Sequence, residues 1–160
     1  MKPHALIVAV LALCGCATTP QAEEFPQPTN LWESFSGQLQ YVTPGHSVIG
    51  EFAASRHSSD FHLEFSKGGA VPLIKVSRHE QVARAEGPLA RGRWQGQASA
   101  APAPLRGWVE NVPRAFLELE HNMKVPRRAD NVRLDVDRGR PKRLEIPGGQ
   151  PGEKFVFILN

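Results

Sequence analysis

Phe61, Leu63 and Phe65 alternate with His62 and Glu64. A two-residue period of this kind builds a strand with one apolar and one wet face, and it constrains the fold more than any other feature of the chain. The period recurs. Leu39 and Tyr41 alternate with Gln38 and Gln40; Val48 and Phe52 share a side; Val132, Leu134 and Val136 oppose Arg133, Asp135 and Asp137; Leu144 pairs with Ile146. Thr43-Pro44-Gly45-His46 is a turn that makes the first two runs an antiparallel hairpin. Lys67-Gly68-Gly69-Ala70, Gly87-Pro88, Gly139-Arg140-Pro141 and Gly148-Gly149 break the later runs. Residues 73–76 and 82–86 are expected to be extended, and the apolar run 155–159 to be buried on both faces. Asn30 is placed to cap a helical turn through Leu31, Trp32 and Phe35. Leu105, Trp108, Val109 and Val112 follow the i, i+3, i+4, i+7 spacing of a helix. Pro104 suits its entrance and Pro113 is expected to limit its length. Its apolar stripe either packs on a sheet or covers a cavity. The sum is an α+β chain: a meandering antiparallel sheet with one or two short helices.

The N-terminus sets the expected compartment. Lys2 and His4 precede a short apolar run over residues 5–13, and Leu13-Cys14-Gly15-Cys16 follows. The run is shorter than the ~20 residues that span a bilayer, so it is expected to act as a secretory signal. Its ending resembles the bacterial lipobox, which implies cleavage before Cys16 and acylation of that residue. Cys14 would leave with the signal, so no disulfide is expected in the mature chain. Several acyl chains would anchor it durably. Ala17 is not the aspartate that retains lipoproteins in the inner membrane, so the resemblance implies the outer membrane. The expected division is a signal over 1–15, a lipid anchor and flexible Pro-rich tether over 16–30, and a folded domain over 31–160.

Net charge is +3 with acids and bases intermixed, which gives no expectation of nucleic-acid binding. Arg127-Arg128 and the run Arg138 to Arg143 are basic clusters that suit a solvated face, acidic headgroups or an acidic carrier. His57 and His62 lie near each other in sequence while His46 and His79 are scattered; metal sites usually cluster their ligands more tightly, and no metal or cofactor is expected. No G-x-S-x-G is present, and Ser58 and Ser77 have no nucleophile setting. Glu118 and Glu120 are expected on the wet face of a strand. No catalytic residue is expected.

In order and pattern, most of the mature chain resembles the LolB family of outer-membrane lipoprotein receptors. The residues that carry the likeness are the lipobox, the 32–37 lead-in, Gly37-Gln38-Leu39-Gln40-Tyr41, the Phe61 to Phe65 strand with its glycine loop, Pro104-Leu105-Arg106-Gly107-Trp108-Val109, and Arg143-Leu144-Glu145-Ile146. The resemblance implies an incomplete, strongly curved antiparallel β-barrel whose short helices cover an apolar cavity for acyl chains. Phe52, Phe61, Leu63, Phe65 and Val82 are the expected liners, with Leu105, Trp108 and Val109 on the covering helix. It further implies a non-enzymatic, monomeric acceptor that takes lipoproteins from a periplasmic LolA-like carrier. The family's membrane-insertion loop corresponds to residues 66–72, where Val71 and Leu73 stand nearest to its apolar tip. The chain departs from the family there, with glycine where a leucine is usual, and is shorter between Phe116 and Asp130. The alternative is a tethered structural or interaction lipoprotein without a cavity, and the least favoured is an envelope hydrolase.

Overall fold

The computed structural model describes residues 25–69, 71–124 and 132–160. Cys16, the signal, Ala70 and Arg127-Arg128 lie outside them. The described strands are β1 Glu33–Thr43, β2 His46–His57, β3 Asp60–Lys67, β4 Val71–His79, β5 Val82–Gly87, β6 Gly92–Gln97, β7 Arg133–Asp137, β8 Arg140–Pro147 and β9 Lys154–Leu159. They form one antiparallel sheet in the order β6-β5-β4-β3-β2-β1-β9-β8-β7, open at β6 and β7.

One irregular helical segment crosses the inner face. It comprises α1 Ala103–Arg106, a π-helical turn Gly107–Asn111, α2 Val112–Leu117 and α3 Leu119–Lys124. None of the described helices is long and apolar enough to cross a membrane. The Trp108 ring lies 5.8 Å from Phe65 on β3 and 4.7 Å from Phe155 on β9. Three strand spacings, about 14 Å, separate β3 from β9 in a flat sheet. One indole reaches both because the sheet bends around the helix.

Alternation decides which side chains enter this core. Leu39, Phe52, Phe61, Leu63, Phe65, Ile74, Val76, Leu144, Ile146 and Phe157 are buried against Leu105, Trp108, Val109, Val112 and Phe116. In the C-terminal run, Phe155, Val156, Phe157 and Leu159 are buried but Ile158 is exposed, so burial on both faces holds only in part.

Three local expectations are corrected. Residues 30–32 form a turn closed by Trp32 N–H donating to the Thr29 carbonyl (3.1 Å), with Leu31 exposed, and Phe35 already belongs to β1. The helix does not stop at Pro113. Val112 N–H bonds back to the Gly107 carbonyl, and this wider turn relieves the clash a proline ring makes with the carbonyl four residues earlier. Glu120 lies in α3 and Glu118 at the break before it, so neither is on a strand. In addition, packed structure begins inside the stretch expected to be tether. Phe25 is buried, with the Arg84 guanidinium 4.6 Å from its ring centroid.

Candidate functional site

The strand directions bring several turns to one end of the sheet. The β1–β2 turn, the short 3-10 turn Pro88–Ala90, the start of α1 and the β8–β9 turn surround an opening of about 380 Å³. Val48, Pro88, Leu89 and Pro104 supply its apolar wall, and Tyr41 and Glu153 its polar floor. The Tyr41 hydroxyl donates to Glu153 Oε1. Glu153 Oε2 accepts the N–H groups of Gly149 (2.6 Å) and Gln150 (3.0 Å). Burial, and then the hydrogen bond to Glu153, push the Tyr41 hydroxyl far above the ordinary phenol range, so it stays protonated as a donor. Beneath this floor the Tyr41 ring lies 4.9 Å from Trp108 and 5.1 Å from Phe155. The opening therefore ends on the aromatic centre of the core.

The helical segment that covers the inner face is clamped at two points, Asn111 and the end of α2. Asn111 Nδ2 donates to the carbonyls of Pro147 and Gly148, each at 3.1 Å. Gly107 permits that approach, since a Cβ there would lie 2.9 Å from the Gly149 nitrogen and 2.8 Å from the Phe155 ring. At the far end the buried Arg56 bonds the carbonyls of Phe116 and Leu117. It also holds Glu33 Oε2 through Nε (2.8 Å) and Nη2 (2.6 Å), which ties the end of α2 to β1 and β2. Between the two clamps, Phe116 packs on Phe35, Phe52, Phe61 and Phe157 with ring centroids 5.0–6.2 Å apart.

Of the expected lining residues, Phe52, Phe61, Leu63, Phe65, Leu105, Trp108 and Val109 come together on the inner side, all buried. The side chains of the covering segment occupy the space they surround. Val82 is corrected. On β5 the buried positions are Ala83 and Ala85, and the alternation turns Val82 away with Arg84 and Glu86. Of the loop pair, Val71 is 57% exposed at the β3–β4 tip, whereas Leu73 packs against the core and is no tip residue. The β2–β3 register, Glu51 opposite Ser66, puts that tip at the same end of the sheet as the opening.

Neither a family model nor a curated protein matches the chain. What the site can do therefore rests on its own chemistry. Among the described residues no three His, Cys, Asp or Glu gather to hold a metal. His57 stacks on Trp32 and His62 bonds Ser77, so these two histidines do not act as a pair. The basic run from Arg138 surrounds the β7–β8 turn, at the end of the sheet away from the opening.

Sequence reasoning missed Tyr41 and Glu153 as partners, Phe116 as the core's hub and Arg56 as a clamp. All four depend on contacts between residues 41 to 112 positions apart, for which a single sequence carries no local signal.

Proposed function

We propose that the chain is a lipid-anchored lipoprotein facing the periplasm from the bacterial outer membrane, which accepts the acyl chains of other lipoproteins and passes them to that membrane. The opening above Tyr41 and Trp108 carries this reading. It offers an apolar wall, and a polar floor with the aromatic centre of the core directly beneath it, at the end of the sheet where Val71 is exposed. An acyl chain entering there replaces ring contacts of the covering segment by its own, at roughly 25 cal/mol for each square ångström withdrawn from water. Trp108 and Phe116 bury ~150–250 Å² each, so such an exchange lies close to balance and needs no chemical energy. The apolar cavity is then the state in which the segment has shifted. A LolA-like carrier is the fitting donor, since it would present an acyl chain already withdrawn from water. From Cys16 to Phe25 the chain can stretch at most about 30 Å, which keeps the opening close to the anchor's membrane.

A tethered structural lipoprotein with a solid core is the second reading. The close ring packing around Phe116 favours it.

Titration with a fluorescent fatty acid separates the two. The acceptor reading expects saturable binding that falls at least about tenfold, or about 1.4 kcal/mol, in Leu89→Asp, whose side chain lines the opening, with circular dichroism unchanged. Absence of saturable binding by the folded wild-type chain establishes the solid core instead.

A further inference from the structure

Glu153 is a buried carboxylate, 5% exposed, and its three side-chain partners are all uncharged: the Tyr41 hydroxyl on Oε1, and the N–H groups of Gly149 and Gln150 on Oε2. A buried charge balanced by neutral donors alone depends on each of them. Tyr41 lines the opening and Trp108 does not, yet their rings are 4.9 Å apart. Tyr41, held by its bond to Glu153, therefore stands in the path from the opening to the indole.

The same carboxylate reaches the covering segment through the β8–β9 turn. Gly148 N–H donates to the Glu153 carbonyl (2.7 Å) and closes the turn on itself. The turn is wedged between carboxylate and helix. A Cβ on Gly148 would lie 2.2 Å from Glu153 Cγ, and one on Gly149 would lie 2.3 Å from the Ala103 carbonyl oxygen. On the helix side, the Pro147 and Gly148 carbonyls accept Asn111 Nδ2 from the π turn. Tyr41, Glu153, the turn and Asn111 form one continuous chain of bonds from the floor of the opening to the helical segment.

We propose that Glu153 is the positioning residue that keeps the covering segment closed, with Tyr41 as its latch and Asn111 as its grip on the segment. When Tyr41 lets go, the carboxylate is hydrated from the opening, the turn loosens and Asn111 is freed. The segment then shifts and bares the path to Trp108. The use of this latch in acyl entry rests on the acceptor reading above; its hold on the segment does not. Losing a hydrogen bond to a charged group shifts such an equilibrium about tenfold or more.

Hydrogen exchange followed by mass spectrometry tests the hold, on the full chain anchored in phosphatidylcholine nanodiscs without added fatty acid. In the wild type, amides of the 108–116 stretch should exchange faster than those of Phe61 to Phe65, because the segment opens locally and β3 only with the whole domain. Tyr41→Phe should speed exchange of the segment about tenfold. Asn111→Ala should speed it too, and the double variant should go no further than Asn111→Ala alone, because the latch acts through Asn111. Multiplied effects in the double variant, or segment exchange unchanged in the folded Tyr41→Phe chain, would overturn the proposal. A bond that serves stability alone gives that second result, since it speeds exchange of β3 and leaves local opening as it was. Stopped-flow mixing with a fluorescent fatty acid tests the use. Association should quicken about tenfold in Tyr41→Phe with dissociation unchanged, since the latch is already open in the bound state. Unchanged association would overturn the latch as the gate. Absence of binding by every chain would sink the acceptor reading, while exchange still decides the hold.

Discussion

Replacing Phe116 with alanine is expected to lower the unfolding free energy by about 3–5 kcal/mol. The ring is fully buried and meets four other phenylalanines from β1, β2, β3 and β9. The clamps at Asn111 and Arg56 hold the helical backbone near the gap in the resting arrangement, which limits its collapse. The cost is therefore the lost transfer energy plus the energy of the cavity that remains. For a domain of this size the midpoint of thermal unfolding should fall by about 10–15 °C. Calorimetry on the purified variant checks this. A shift below about 3 °C would show that the segment does not occupy the sheet's inner face.

Gly37→Ala should be at least as damaging, for a backbone reason. Gly37 sits on β1 between β2 and β9 with φ of +154°, and a Cβ there would lie 1.9 Å from the Ile158 carbonyl oxygen. The strained dihedral alone costs about 1–3 kcal/mol. The clash adds more, because neither backbone can yield without parting β1 from β9. Gly45→Ala is the comparator. It also carries a positive φ, +87°, but its added Cβ meets nothing within 4 Å. Urea unfolding should separate the two by at least about 2 kcal/mol. Equal values would mean that β1 and β9 are not in this register.

Most of the sheet was legible where side chains alternate strongly. β3 is the clearest case, because Phe61, Leu63 and Phe65 leave the core face no other choice. β6 gave no usable signal. Trp94 is its sole large apolar residue, and an edge strand has little apolar area to declare. On β5 the larger Val82 drew the expectation, while Ala83 and Ala85 face inward. Small side chains suit the close approach of the helical segment but contribute little to hydrophobic periodicity. The stripe from Leu105 to Val112 identified the covering helix, whereas Pro113 was misjudged because a π turn cannot be read from side-chain type. The opening was illegible for a related reason. It is assembled from three turns and a helix start distant in sequence, and the pairing of β1 with β9, Tyr41 opposite Phe155, is what brings Tyr41 to Glu153.

The central claim is that an acyl chain enters through the opening and reaches the inner face beside Trp108. The chain contains three tryptophans, so Trp32→Phe together with Trp94→Phe leaves Trp108 as the only indole emitter. Titrating that variant with a fatty acid brominated along its chain reports contact directly. The account predicts that Trp108 emission is quenched with the same midpoint as fatty-acid binding. Binding that leaves the emission unchanged, or no binding by a folded chain, would contradict it.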